Sequence, residues 1–211
     1  MADHIISSGF LPVGNGHELY FEEWGNPKAD PMIYLHGGPG ASFNDSNKLM
    51  FDPAHHHVLF FDQRGCGRST PYASIAHNTT QDLVSDINKL ADHVHFKTFT
   101  LLGGSWGSSL SLIYAVQYPE RVKQMVLWSI YLVRQFEMDY VNEGYAKHSF
   151  PEAWERFISL VPKEEQKTGD QILAYYTKKI QSDDPEEAKK YADEWTLWEF
   201  TLVTKYYDKL S

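Results

Sequence analysis

Thr98-Phe99-Thr100-Leu101-Leu102-Gly103-Gly104-Ser105-Trp106-Gly107-Ser108 is the stretch on which the reading of the fold turns. Thr98 to Leu102 is a short β-branched and aromatic run of the kind that makes a buried strand. Trp106 to Tyr118, halted by Pro119, has the length and the stop signal of a helix. Between them stands a Gly-x-Ser-x-Gly pattern, and strand–turn–helix is the setting that a nucleophile elbow requires. The reason is steric: the chain reverses so sharply at Ser105 that its backbone is strained, and Gly103 and Gly107 supply the small neighbours that allow it. Ser105 Oγ is then exposed at a helix N-terminus, where free N–H groups and the helix dipole favour developing negative charge. The competing reading, a glycine-rich turn with a capping serine, explains the local pattern but not its match to that setting.

Outward from the elbow, Glu18 to Trp24, Met32 to Leu35, Val58 to Phe61 and Val122 to Ile130 also read as strands. Asp82 to Val94 carries Leu83, Val84, Ile87, Leu90 and Val94 at helical spacing, opened by a Thr79-x-x-Asp82 capping box. Alternating strands and helices, with strands apolar almost throughout, predict an α/β fold: a mostly parallel sheet covered on both faces. The texture changes near residue 134. Residues 1–135 hold 9 basic and 12 acidic side chains, whereas residues 136–211 hold 10 and 16 and are almost free of glycine after Gly144. Helices are predicted there over Pro151 to Val161, Asp170 to Ile180 and Pro185 to about Thr204.

Two further glycine-bearing motifs end predicted strands. His36-Gly37-Gly38-Pro39-Gly40 follows Met32 to Leu35, and its glycines let a loop approach the nucleophile and offer a backbone N–H to an oxyanion. The expected donors are the N–H of Trp106 and that of Gly38, with Gly37 as the alternative. Asp62-Gln63-Arg64-Gly65-Cys66-Gly67-Arg68-Ser69 follows Val58 to Phe61. It fails as a dinucleotide fingerprint, because Thr70 stands where the third glycine belongs. The expectation is a bracing loop, with Asp62 paired to Arg64 or Arg68 beneath the site and Cys66 a partly buried thiol that is not the nucleophile.

Taken in this order and spacing, HGGPG, DQRGCGRSTP, Asn78-Thr79-Thr80 and GGSWGS resemble the proline iminopeptidases (prolyl aminopeptidases), an α/β-hydrolase family of serine peptidases, over nearly the whole chain. Phe150 to Glu155 and Trp195 to Glu199 resemble segments of that family's helical cap. Gln81 departs from the family where an aromatic is usual, and Leu127 to Ile130 where an Arg-Gly pair is usual; both bear on fine substrate preference. The resemblance implies an α/β-hydrolase core (1–134), an inserted helical cap (135–211), no cofactor, and release of an N-terminal proline through an acyl-enzyme on Ser105. Glu199 matches the cap motif that holds the free imino group. Its own surroundings agree: it borders the stripe Ala188, Tyr191, Trp195, Trp198 and Leu202, and a carboxylate beside buried aromatics needs a partner. A rim glutamate reaching into solvent is the competing reading.

The elbow also needs a base, and in this fold the order is Ser, then acid, then His. His148 alone follows Ser105, in a predicted cap loop, so the acid and base are expected beyond Ser211 and the chain is expected to be a C-terminally truncated hydrolase, inactive by itself. An esterase or amidase on the same scaffold, or a non-catalytic remnant, are the alternatives.

Composition narrows the remaining classes. The 211 residues carry a net charge of −9, with no basic stripe to displace counterions from nucleic acid or to bind an anionic membrane. Cys66, the one cysteine, excludes an intramolecular disulfide and a multi-thiolate metal site. His55-His56-His57 would alternate faces on entering a strand and makes a poor metal site. The N-terminus has no basic segment followed by an apolar run, so the expected location is cytoplasmic.

Overall fold

The computed structural model describes residues 4–142 and 145–203 and divides the chain into two compact units, Met1–Leu132 and Val133–Ser211. The first unit is built on a six-stranded sheet of β1 (Ile5–Gly14), β2 (His17–Gly25), β3 (Pro31–Leu35), β4 (His57–Phe61), β5 (Phe99–Gly104) and β6 (Val122–Trp128). The spatial order is β1-β2-β4-β3-β5-β6. β4, β3, β5 and β6 run parallel, and β1 and β2 add an antiparallel edge. All of β4 and β5 is buried, as expected of strands covered on both sides.

Side-chain alternation sorts these strands between two cores. Ile33, Leu35, Leu59, Phe61, Phe99 and Leu101 face one side, where they meet Leu83, Val84, Ile87 and Leu90 of α2 (Thr80–His93) and Leu110 and Tyr114 of α3 (Trp106–Gln117). Tyr34, Val58, Phe60 and Leu102 face the other, against Trp24, Phe43 and Phe51 around the short α1 (Asp45–Lys48). The capping box of α2 forms as expected: the Asp82 N–H donates to Thr79 Oγ1, and Thr79 N–H donates to the Asp82 carboxylate.

β1 was not predicted. Ile5-Ile6-Ser7-Ser8-Gly9 shows no alternation of polarity, and Pro12 argues against a strand unless it lies at an edge, which is where β1 sits. The missed signal was Asn15-Gly16, the two-residue hairpin loop joining β1 to β2, both residues at positive φ. β6 stops at Trp128, two residues short of the expectation.

The second unit holds α4 (Gln135–Asn142), also unpredicted, with α5 (Pro151–Ser159), α6 (Gly169–Ile180) and α7 (Pro185–Val203). Thr204, the expected end of α7, and the first three residues lie outside the described residues. Its core is aromatic: Phe157 of α5 stacks on Tyr176 of α6 at 4.4 Å and on Trp198 of α7 at 5.4 Å between ring centroids. No described helix is long and apolar enough to cross a membrane.

Candidate active site

Ser105 joins β5 to α3 with φ 54° and ψ −123°, a conformation that L-residues seldom adopt. The glycines around it are sterically required. A Cβ on Gly103 would lie 2.2 Å from the Gly107 carbonyl oxygen, and one on Gly107 would lie 2.1 Å from that of Leu35. α3 therefore starts directly against the end of β3. The Ser105 N–H donates to the Trp128 carbonyl at 3.2 Å, so β6 also holds the turn. The side chain is exposed, and among the described residues no histidine or carboxylate hydrogen-bonds its hydroxyl.

The loop after β3 packs on this turn: a Cβ added to Gly37 would stand 3.4 Å from Ser105 Cβ. Within the loop, His36 is 2% exposed and both its ring nitrogens are engaged. Nε2 accepts the Gln63 N–H at 3.0 Å, so Nδ1 carries the proton and donates to the Gly37 carbonyl at 2.9 Å. Burial also pushes the His36 pKa down, and the ring is held neutral with no free lone pair to serve as a base. Since the Gly37–Gly38 peptide is planar and trans, tying its oxygen to His36 turns the Gly38 N–H the opposite way, away from the ring. The Trp106 N–H belongs to the first turn of α3 and is one of its donors without an intrahelical acceptor.

Of the two partners expected for Asp62 in the loop after β4, Arg68 is the one that pairs with it. Asp62 does not pair with Arg64. The fully buried Asp62 carboxylate accepts from the Arg68 Nε at 2.8 Å, the Arg68 N–H at 2.9 Å and the Phe43 N–H at 3.0 Å. The Arg68 guanidinium lies 4.1 Å from both the Tyr20 and Phe43 ring centroids. Arg64 instead grips Asp86 of α2 with Nε at 2.6 Å and Nη2 at 2.8 Å, and donates to the His77 carbonyl at 2.8 Å. Asp86 lies at a helical position whose neighbours look ordinary, so nothing local in the sequence marks it as a partner. Cys66 is more buried than expected, at 6% exposure; its Sγ reaches the Arg64 carbonyl, and burial pushes the thiol up to about 11.

Gln63 was missed by the sequence reading. It is 2% exposed, its Nε2 donates to the His36 carbonyl at 2.9 Å, and its Oε1 accepts the Trp106 indole N–H at 3.1 Å. A cleft of about 500 Å³ opens beside Trp106 and Gln63, walled by Cys66, Tyr72, Ile75 and Leu83 among others.

In the helical unit, Glu199 lies on the exposed side of α7. Crowding by protein raises its carboxyl above the ordinary value, and a hydrogen bond from Trp195, one turn earlier, holds the rise back. Trp198, next to Glu199, is fully buried, and its indole N–H has no acceptor among the described residues.

A strained serine between β5 and α3, faced by a glycine loop from β3, defines the class: the chain belongs to the alpha/beta hydrolase fold family, whose model matches residues 30–193. Among curated proteins it is 44% identical over 200 residues to a proline iminopeptidase of Arabidopsis thaliana, a match covering 95% of this chain and 52% of that protein. It is 40% identical over 201 residues to a proline iminopeptidase of Xylella fastidiosa (strain 9a5c), covering 95% and 63%. The chain therefore spans about half to three fifths of these relatives. Solved structures share the fold: a proline iminopeptidase of Mycobacterium smegmatis superimposes with TM-score 0.58 at 24% identity, covering 92% of this chain and 68% of that one. A Vigna radiata epoxide hydrolase superimposes with TM-score 0.56 at 18% identity, covering 95% and 71%. Such different chemistries on one scaffold mean that the fold alone does not choose the reaction.

Proposed function

We propose that this chain carries the nucleophile, the oxyanion donors and part of the substrate-binding cap of a serine aminopeptidase that releases N-terminal proline from peptides. The observation that carries the reading is the Ser105 elbow with Gly37 packed against it, in a sequence 40–44% identical to proline iminopeptidases over more than nine tenths of its length. Ser105 Oγ attacks the proline carbonyl carbon, and the N–H groups of Trp106 and Gly38 receive the negative charge that develops on its oxygen. Collapse expels the amine of the following residue and leaves a prolyl ester on Ser105, which water hydrolyses. The Ser105 proton passes to a histidine and then to the leaving amine. From the chain order of this fold, that histidine and its acid partner follow the helical unit. Asp62, Arg64, Cys66 and Arg68 touch none of the reacting atoms; they hold the loop after β4 in place.

Glu199 accounts for the free N-terminus. An anionic carboxylate attracts the protonated imino group, and because burial raises its pKa, this attraction starts to fade at a higher pH than it would for a free glutamate. Glu199→Gln, made in the complete gene product, is expected to raise KM for a proline-initiated naphthylamide by about 10- to 100-fold, as loss of a charge-assisted hydrogen bond costs about 1.5–3 kcal/mol. A neutral ester should be turned over as before. Equal losses on both substrates would remove the assignment, and turnover of the ester alone by the parent enzyme would favour an esterase.

A further inference from the structure

We infer that Gln63 is a positioning residue of the oxyanion site: its side-chain amide locks the glycine loop after β3 to the start of α3, and so fixes the two N–H donors relative to each other. The inference rests on the serine-hydrolase reading above and adds to it a residue that neither the nucleophile nor the donor set includes.

The geometry is a closed circuit. The Gln63 N–H donates to His36 Nε2 at 3.0 Å, His36 Nδ1 donates to the Gly37 carbonyl at 2.9 Å, and Gln63 Nε2 donates to the His36 carbonyl at 2.9 Å. The remaining side-chain atom, Oε1, takes the Trp106 indole N–H at 3.1 Å. Each bond has a directional consequence. A trans peptide points its N–H opposite its carbonyl, so fixing the His36 oxygen aims the Gly37 N–H, and fixing the Gly37 oxygen aims the Gly38 N–H. Holding the Trp106 ring steadies the residue whose own N–H is the other donor. An amide does both jobs at every pH: Oε1 must accept and Nε2 must donate, in a site where Gln63 is 2% exposed and water is not available to repair a mismatch. Ser105 is not touched, so the effect falls on stabilising the oxyanion rather than on the attacking hydroxyl.

The test is Gln63→Glu and Gln63→Met in the complete gene product, with kinetics and hydrogen exchange measured on each. An ionised carboxylate still accepts from the indole but sets two acceptors face to face at the His36 carbonyl; a protonated carboxyl donates there and restores the circuit. Burial raises the pKa of the introduced carboxyl into the working range. For Gln63→Glu, kcat at neutral pH is expected to fall on the order of 10- to 100-fold with KM within twofold, a part of what losing one oxyanion donor costs. The ratio of its kcat to the parent's should climb as pH drops. Gln63→Met should show a comparable loss with no such recovery. In Gln63→Met the Trp106 indole N–H, and in both variants the amides of Gly37, Gly38, Gly40 and Ala41, should exchange at least about tenfold faster, with α2 amides unchanged. Kinetics within twofold of the parent for both variants would overturn the inference, as would a pH-independent loss that tracks thermal stability. Should the parent itself cleave no substrate, the hydrolase reading fails, and unchanged indole exchange in Gln63→Met would then refute the positioning role independently.

Discussion

At Ser105 a positive φ on a residue with a Cβ is tolerated because the surrounding chain leaves no alternative: Gly103 meets the Gly107 carbonyl, Gly107 meets the Leu35 carbonyl, and the Ser105 N–H is tied to Trp128. This much was legible in the sequence, since Gly-x-Ser-x-Gly is a local steric demand. Gln63 and Asp86 were not legible, because their roles depend on partners 27 and 22 residues away in the chain that only the folded sheet brings close. Cys66 yields a prediction at this scale. Its thiol has a pKa raised by burial from 9.0 to about 11, so the native state keeps a proton that the unfolded state loses. That contribution is fully present below about pH 9 and is lost as pH rises towards 11. Between pH 8.5 and 11 the parent is expected to lose about 2–3 kcal/mol more stability than Cys66→Ala, measured by urea unfolding across pH. Parallel pH profiles would show that the thiol ionises as freely in the fold as outside it.

The elements divide according to how much of their reason for existing is local. α2 was read correctly because its capping box and its apolar stripe are both written within one stretch, and β3 to β5 because central parallel strands are apolar throughout. β1 escaped notice because an edge strand needs no apolar run; its partner β2 and the Asn15-Gly16 turn specify it. Besides the apolar cores, polar contacts tie elements together, and Arg64 makes several of them. From the end of β4 it reaches Asp86 on α2, the His77 carbonyl before that helix, and the Val13 carbonyl on β1. Both side chains are 1% exposed, so Arg64→Met leaves a buried carboxylate with only the half-exposed Lys89, 3.9 Å away, as its cation. A loss of about 3–5 kcal/mol in unfolding free energy is expected. The double substitution Arg64→Met with Asp86→Leu should recover most of it, because the stranded charge is gone. A single substitution costing under about 1 kcal/mol would mean that the pair contributes packing only.

On the scale of the molecule, β6 has β5 as its single partner among the described strands, and it exposes Met125, Val126 and Trp128. A long edge with apolar side chains invites pairing with another strand. Residues 1–211 expressed alone are therefore expected to elute above monomer mass in size-exclusion chromatography, with Val126→Lys shifting the population towards monomer; a monodisperse parent would contradict this. Whether Ser105 is the nucleophile of a proline-releasing hydrolase is decided by treating the complete, active gene product with a fluorophosphonate and mapping the adduct. One adduct is expected, on Ser105, formed in step with loss of proline naphthylamide hydrolysis and absent from Ser105→Ala. An active enzyme labelled on another serine, or a Ser105→Ala variant that still releases proline at the parent rate, would contradict it.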